Sequence, residues 1–389
     1  MTAPAIRHPG ELRWETRLLA VVTATLVAFG IAMIYGASSL VRTRTGMVGS
    51  SYALSQFIGA VIGGIVMVIV ARIDYRILRP LAWPIMFATI CLLLVPFIPG
   101  LRNLAPPVNG ARRWINLPGF TVQPSEIARL AVIIWCAMLA TKKGEQVRDF
   151  KKGLLPFLLI LGVVSLLIFF QPNMSMAVLV ALLGGIVLFS AGAKIGHFLL
   201  LGIIGVIGAL QAINHAGYRA ARLDKFLNGA DGTSQIYQSL VGIGSGRVFG
   251  VGFGMGQQKY GYLPYAHSDF IFSAIGEEWG FVGVVVMVFL FALFCWLGFR
   301  IARTAEDPFG QYLATGLTAA VGLTAFMHMA VTLNLMPTTG LTLPFVSAGK
   351  SSLLVSLIGT GILLSIGRQR GKPPRPSARP RSARDSGAG

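Results

Sequence analysis

The sequence predicts an all-α polytopic membrane protein of about ten transmembrane helices, with a long extracytoplasmic loop between spans seven and eight. Three observations carry this. Hydrophobic residues make up 54% of the 389 and charged residues only 12%, while mean hydropathy is +0.70. That is too apolar for a core wrapped in a water-facing surface. The apolar residues fall into repeated runs of about 17 to 25, the length that crosses a hydrocarbon core of roughly 30 Å. Lys and Arg, which give a net charge of +19, gather in short segments between those runs, with no basic stripe on a soluble domain. Nucleic acid is therefore not expected as a partner; the pattern is the one that encodes membrane topology.

Taken in order, the expected spans are 17–38, 51–71, 78–98, 124–141, 154–171, 176–192, 196–214, 270–299, 311–333 and 351–367. The fifth and sixth are joined by the tight turn Gln171-Pro172-Asn173-Met174-Ser175. Residues 1–16 and the tail from 368 to 389 flank this membrane domain of 17–367. The tail, rich in Pro, Arg, Ser and Gly, cannot build a core and is expected to be disordered against anionic membrane lipids. With both termini in the cytoplasm, most of the 33 basic residues lie inside. Cys91, Cys136 and Cys295 each lie in an apolar run and read as core residues, without disulfide or metal spacing.

Two external loops, about 99–123 and 215–269, are basic where topology alone favours neutrality. They carry Arg112 and Arg113, and Arg219, Arg222, Arg247 and Lys259. Attraction to headgroups explains this; so does a phosphate or pyrophosphate ligand held outside the membrane. The second loop holds the glycine-dense run Gly244 to Gly256, which lacks the lysine and the strand-to-helix setting of a nucleotide-phosphate loop. Either its amides approach an oxyanion or its glycines permit tight packing. Nearby Gln238, Ser239 and Gln258 would suit a sugar.

Charges within spans are costly, so each needs a reason. Glu126 and Arg129 stand three apart at the start of span four and can neutralise each other, as a structural pair or as the brace of a site. Asp269, in His267-Ser268-Asp269-Phe270, opens span eight, where capping and a catalytic carboxylate are both open. Glu277 and Glu278 follow two turns deeper. His215, His267 and His328 have no convergent metal spacing. Pro337 to Ser347 is an apolar stretch broken by Pro and Gly, which at membrane depth lines a cavity.

Several segments together resemble the FtsW/RodA/SpoVE family, the SEDS proteins of bacterial cell-wall synthesis. They are Asn109 to Ile115, Gln123-Pro124-Ser125-Glu126, Gln238-Ser239-Leu240 with Gly244-Ser245-Gly246, Gln258-Lys259, Leu263-Pro264, His267 to Phe272, Gly276-Glu277-Glu278 and Gly340 to Ser347. They occur in the family's order over roughly 17 to 370. The resemblance implies an inverting peptidoglycan glycosyltransferase that polymerises lipid II outside the cytoplasmic (inner) membrane, with Asp269 catalytic and Glu126 and Arg129 in support. It further implies a class B penicillin-binding protein as transpeptidase partner, other divisome proteins, and a place at the division septum, closer to FtsW than to RodA. The substrate-binding candidates are Arg112, Arg113, Arg219, Arg222, Gln238, Ser239, Lys259 and His267. A divalent cation, Mg or Mn, is a further expectation; the alternatives are a lipid II flippase and the elongation polymerase.

Overall fold

The computed structural model describes residues 14–38, 49–101, 103–107, 110–117, 120–198, 202, 205, 208, 226–227 and 234–369. Ten α-helices are described: α1 Trp14–Ser38, α2 Gly49–Arg72, α3 Leu78–Leu94, α4 Pro124–Lys143, α5 Leu155–Phe170, α6 Met174–Ser190, α7 Gln235–Ser245, α8 Ile271–Arg303, α9 Pro308–Thr332 and α10 Lys350–Arg368. Among the described residues, eight helices are long and apolar enough to cross a membrane, and α6 is a shorter apolar one. They coincide with nine of the ten expected spans. The remaining one, 196–214, falls almost wholly outside the described residues, as do Arg219, Arg222 and the tail from 370.

Local chemistry sets the helix ends. Pro124 and Pro308 occupy first turns, where the missing N–H costs nothing. Asp307 caps α9 by accepting from the Gly310 amide at 3.2 Å. Gly144, at φ 53°, ends α4. A two-stranded antiparallel hairpin, β1 Ile115–Leu117 with β2 Phe120–Val122, precedes α4.

The helices sort into an inner and an outer set. In α4 and α10 83% of the apolar window is buried, against 17% in α2. The outer helices show Ile, Leu, Val and Phe outward, which suits lipid and would not suit water. The protein is thus an integral membrane protein.

The ends of the bundle differ. One end gathers the start of α1, the end of α2 and the end of α10. There Arg76 pairs with Glu306 at 2.9 Å, and Arg300, stacked between Trp14 and Trp296, pairs with Glu15. The other end gathers the hairpin, the start of α8 and the irregular segment 337–349. Backbone at Phe345 and Val346 presses on Gly30 of α1, where a Cβ would stand 2.6 Å from the Val346 Cα. Gly30→Ala is expected to lower stability by about 1–3 kcal/mol, whereas Gly64→Ala, with nothing within 4 Å, leaves it unchanged or slightly raised. Thermal unfolding of both variants in detergent checks the pair.

Candidate active site around Asp269

Helix α8 has Phe270 as its N-cap, with no side-chain cap bond. Asp269 stands one residue earlier. The Ser268 and Asp269 amides both donate to the Tyr265 carbonyl at 3.0 Å, a turn that presents the Asp269 carboxylate half-buried at the bundle end. Its Oδ2 lies 3.8 Å from where a Cβ on Gly340 would sit.

The broken segment 337–349 forms the other wall, as its Pro and Gly content implies. Ser347 Oγ donates to the Ser268 carbonyl at 2.7 Å, and the Ala348 amide donates to the His267 carbonyl at 3.0 Å. Gln56 of α2 clamps it from both sides, donating to the Ser347 carbonyl at 3.1 Å and accepting from the Gly349 amide at 3.2 Å. His267 stacks obliquely on Tyr52, with centroids 4.8 Å apart. Ser351 ties α10 to the hairpin through the Thr121 carbonyl at 2.7 Å. Asp269 therefore sits where four chain segments lock together. Burial pushes the His267 imidazole below its ordinary pKa, so the ring is neutral here.

Within the glycine run 244–256, the Val251 and Gly252 amides donate to the Glu277 and Glu278 carbonyls at 3.0 and 3.1 Å. Glu277 accepts from the Gln257 amide at 2.6 Å and the Gln258 amide at 3.3 Å, and Glu278 accepts from the Gly254 amide at 3.0 Å. The loop crosses α8 where Gly280, at φ 65° and ψ −159°, breaks the helix. A Cβ on Gly280 would stand 2.3 Å from the Gly250 nitrogen. Tight packing is thus the reason for these glycines. A helix of 33 residues would run about 50 Å unbroken, well beyond the hydrocarbon core. The break sets its first turns apart as a platform for the loop.

This arrangement reassigns two candidates. Lys259 is buried, its ammonium donating to the Gly254 carbonyl within the loop, on the side of the loop that meets Glu277 and Glu278. Ser239 is fully buried and donates to the Thr332 carbonyl at 2.8 Å. It joins α7 to α9; it does not face a sugar. Gln238 is half-buried on α7, and Arg112 and Arg113 are half-buried before the hairpin.

Glu126 and Arg129 form a buried pair, N to O 2.9 Å, with side chains 6% and 4% exposed. Arg129 also reaches the Thr324 hydroxyl at 3.3 Å and the Ser356 hydroxyl at 3.4 Å, so it joins α4, α9 and α10. One turn beyond Thr324, His328 Nδ1 is 2.8 Å from the Leu341 carbonyl, next to Gly340. The pair is thus tied to α9, whose His328, a residue without any motif of its own, holds the Leu341 carbonyl. Among the described residues no three His, Cys, Asp or Glu converge as metal ligands.

Glu277→Gln removes the charge that holds the loop amides, a bond class worth about 1.5–3 kcal/mol. Hydrogen exchange at Gln257 and Gln258 is expected to speed up at least about tenfold, with little change at Ser239. For His267 the lowered pKa means that protonation favours the opened state. Stability of this end is therefore full above roughly pH 6.5 and falls as pH drops below it. Unfolding scans of wild type and His267→Gln between pH 7.5 and 5 should converge toward the acid side.

Over residues 16–372 the chain matches the FtsW/RodA/SpoVE family, described as cell cycle protein. It is 39% identical to a probable peptidoglycan glycosyltransferase FtsW of Geobacter sp. (strain M18), over 91% of this chain and 97% of that one. It is 35% identical to the stage V sporulation protein E of Bacillus subtilis, over 90% and 96%. Among solved structures, a chain of a peptidoglycan synthase complex that coordinates polymerization and crosslinking superposes with a TM-score of 0.75 at 26% identity, covering 91% of this chain and 98% of that one. The rod shape determining protein RodA of Thermus thermophilus does so at 0.67 and 26%, covering 91% and 97%. The motifs, the helical architecture and these matches agree: the chain belongs to the FtsW/RodA/SpoVE family.

Proposed function

We propose that this chain is a peptidoglycan glycosyltransferase that polymerises lipid II into glycan strands at the outer face of the cytoplasmic membrane, in septal wall synthesis. The observation that carries the reading is the placement of Asp269: a half-buried carboxylate at the bundle end opposite the arginine-rich one, walled by irregular backbone. Relatives named glycosyltransferase at 39% identity support the reaction class, and favour the division role over the elongation role of the RodA-like neighbours at 26%. The likeness to a synthase complex that couples polymerization to crosslinking supports a class B penicillin-binding protein as transpeptidase partner. Both termini are then cytoplasmic, and other divisome proteins complete the assembly.

Lipid II brings an undecaprenyl tail for the bilayer, a pyrophosphate for the interface and a disaccharide-pentapeptide for water. Asp269 takes the proton from the acceptor sugar hydroxyl as that oxygen attacks the anomeric carbon of the donor. The bond from that carbon to the pyrophosphate oxygen breaks, the lipid pyrophosphate leaves, and one inversion turns an α-linked donor into a β-linked product. Arg112 and Arg113, half-buried before the hairpin, are candidates to receive the leaving charge, with Arg219 and Arg222 as further ones. Neutral His267 keeps a competing positive charge away from the base. A divalent cation, Mg or Mn, would be held by Asp269 and would supply positive charge for the pyrophosphate.

Purified wild type with lipid II in detergent is expected to form polymer, and Asp269→Asn to lose at least about a hundredfold in rate with unfolding unchanged. Transfer of lipid between leaflets by wild type without polymer would establish the flippase reading. Arg129→Ala should lower both activity and thermal stability, because it leaves Glu126 buried and unpaired.

A further inference from the structure

We propose that the cavity where α1, α2 and α10 end is a binding site for the phosphate headgroup of an anionic membrane lipid. The cavity measures about 340 Å³, is open to its surroundings, and is lined by Thr16, Arg17, Arg72, Ser365, Arg368 and Gln369. Three arginines from three helices line it, and among the described residues no Asp or Glu does.

Two other arginines at this end are answered by protein. Arg76 has Glu306 and Asp307, and Arg300 has Glu15. Arg17 and Arg72 are exposed and make no ion pair among the described residues, and Arg368 gives a bond to the Ala71 carbonyl at 3.3 Å. Bringing like charges together is unfavourable unless an anion joins them. The planar donor fork of arginine matches phosphate oxygens two at a time. Thr16, Ser365 and Gln369 supply neutral polar groups beside them, with Ser365 Oγ fixed on the Ile73 carbonyl at 2.6 Å.

A lipid, as opposed to a soluble anion, is indicated by what runs up to the cavity. Ile58, Ile62, Ile65 and Ile69 of α2 are each at least half exposed, at 50%, 53%, 57% and 52%. Their spacing of four, three and four puts them on one face, and three further residues along that face stands Arg72. An acyl chain laid on the isoleucine stripe delivers its phosphate to Arg72.

Full-length protein reconstituted in nanodiscs of phosphatidylcholine with phosphatidylglycerol, then released for native mass spectrometry, tests this. Wild type is expected to retain phosphatidylglycerol over phosphatidylcholine by about tenfold. Arg17→Gln/Arg72→Gln, which spares the Arg368 bond, should lose that preference. Lys142→Gln/Lys151→Gln removes equal charge from exposed positions on another part of the same end and should keep it. Equal thermal unfolding in pure phosphatidylcholine discs establishes that the double variant is folded; if it is not, single Arg72→Gln, at an exposed helix end, gives the same comparison at smaller size. Retention undiminished in the arginine variant, or equal loss in the lysine variant, would overturn a localised site. Displacement of the lipid by millimolar inorganic phosphate would show a soluble-anion site and overturn the lipid assignment.

Discussion

Two carboxylates at the head of α8 hold together the end of the molecule that carries Asp269. A buried carboxylate needs donors, and a glycine-rich loop without secondary structure needs acceptors for its amides. Glu277 and Glu278 meet the amides of Gly254, Gln257 and Gln258 and satisfy both needs at once. Lys259 is folded into the same interior. With the loop pinned across the break at Gly280, the chain must turn at Tyr265 and approach α8 from one direction. Asp269 is delivered by that turn.

A second constraint closes the site from the opposite side. Residues 337–349 have no helix or sheet to satisfy their backbone at membrane depth, so side chains do it. Gln56, Ser347 and His328 each hold a main-chain group of this segment or of its neighbour. Behind it, Arg129 ties α4, α9 and α10. The charges within the apolar bundle thus have partners on three helices. At the far end, the arginines of α1, α2 and α10 meet the opposite membrane interface, so the two ends carry different chemistry on one scaffold.

The spans were legible because a bilayer imposes a length and a composition on any helix that crosses it, whatever the tertiary fold. Segment 337–347 was legible as irregular because Pro and Gly cannot continue a helix. Asp269 stood out for its loop, although its local position also fitted capping. The glycine run was ambiguous for a physical reason: its amides do bind oxyanions, but those belong to Glu277 and Glu278, about twenty residues later in the chain. The burial of Lys259 and Ser239 was not legible, since a polar residue in a loop or on a short helix shows its burial only once its partners are placed. Gly280 was hidden inside a continuous apolar run, and His328 had no sequence neighbour to betray its carbonyl partner on residue 341.

The central claim is that Asp269 acts in the chemical step and leaves substrate binding to its surroundings. Measuring lipid II affinity and single-turnover rate for wild type and Asp269→Asn in the same detergent separates the two. The account predicts affinity within about threefold of wild type and a rate lower by at least about a hundredfold. A variant that binds lipid II far more weakly, yet turns over at the wild-type rate once saturated, would contradict it.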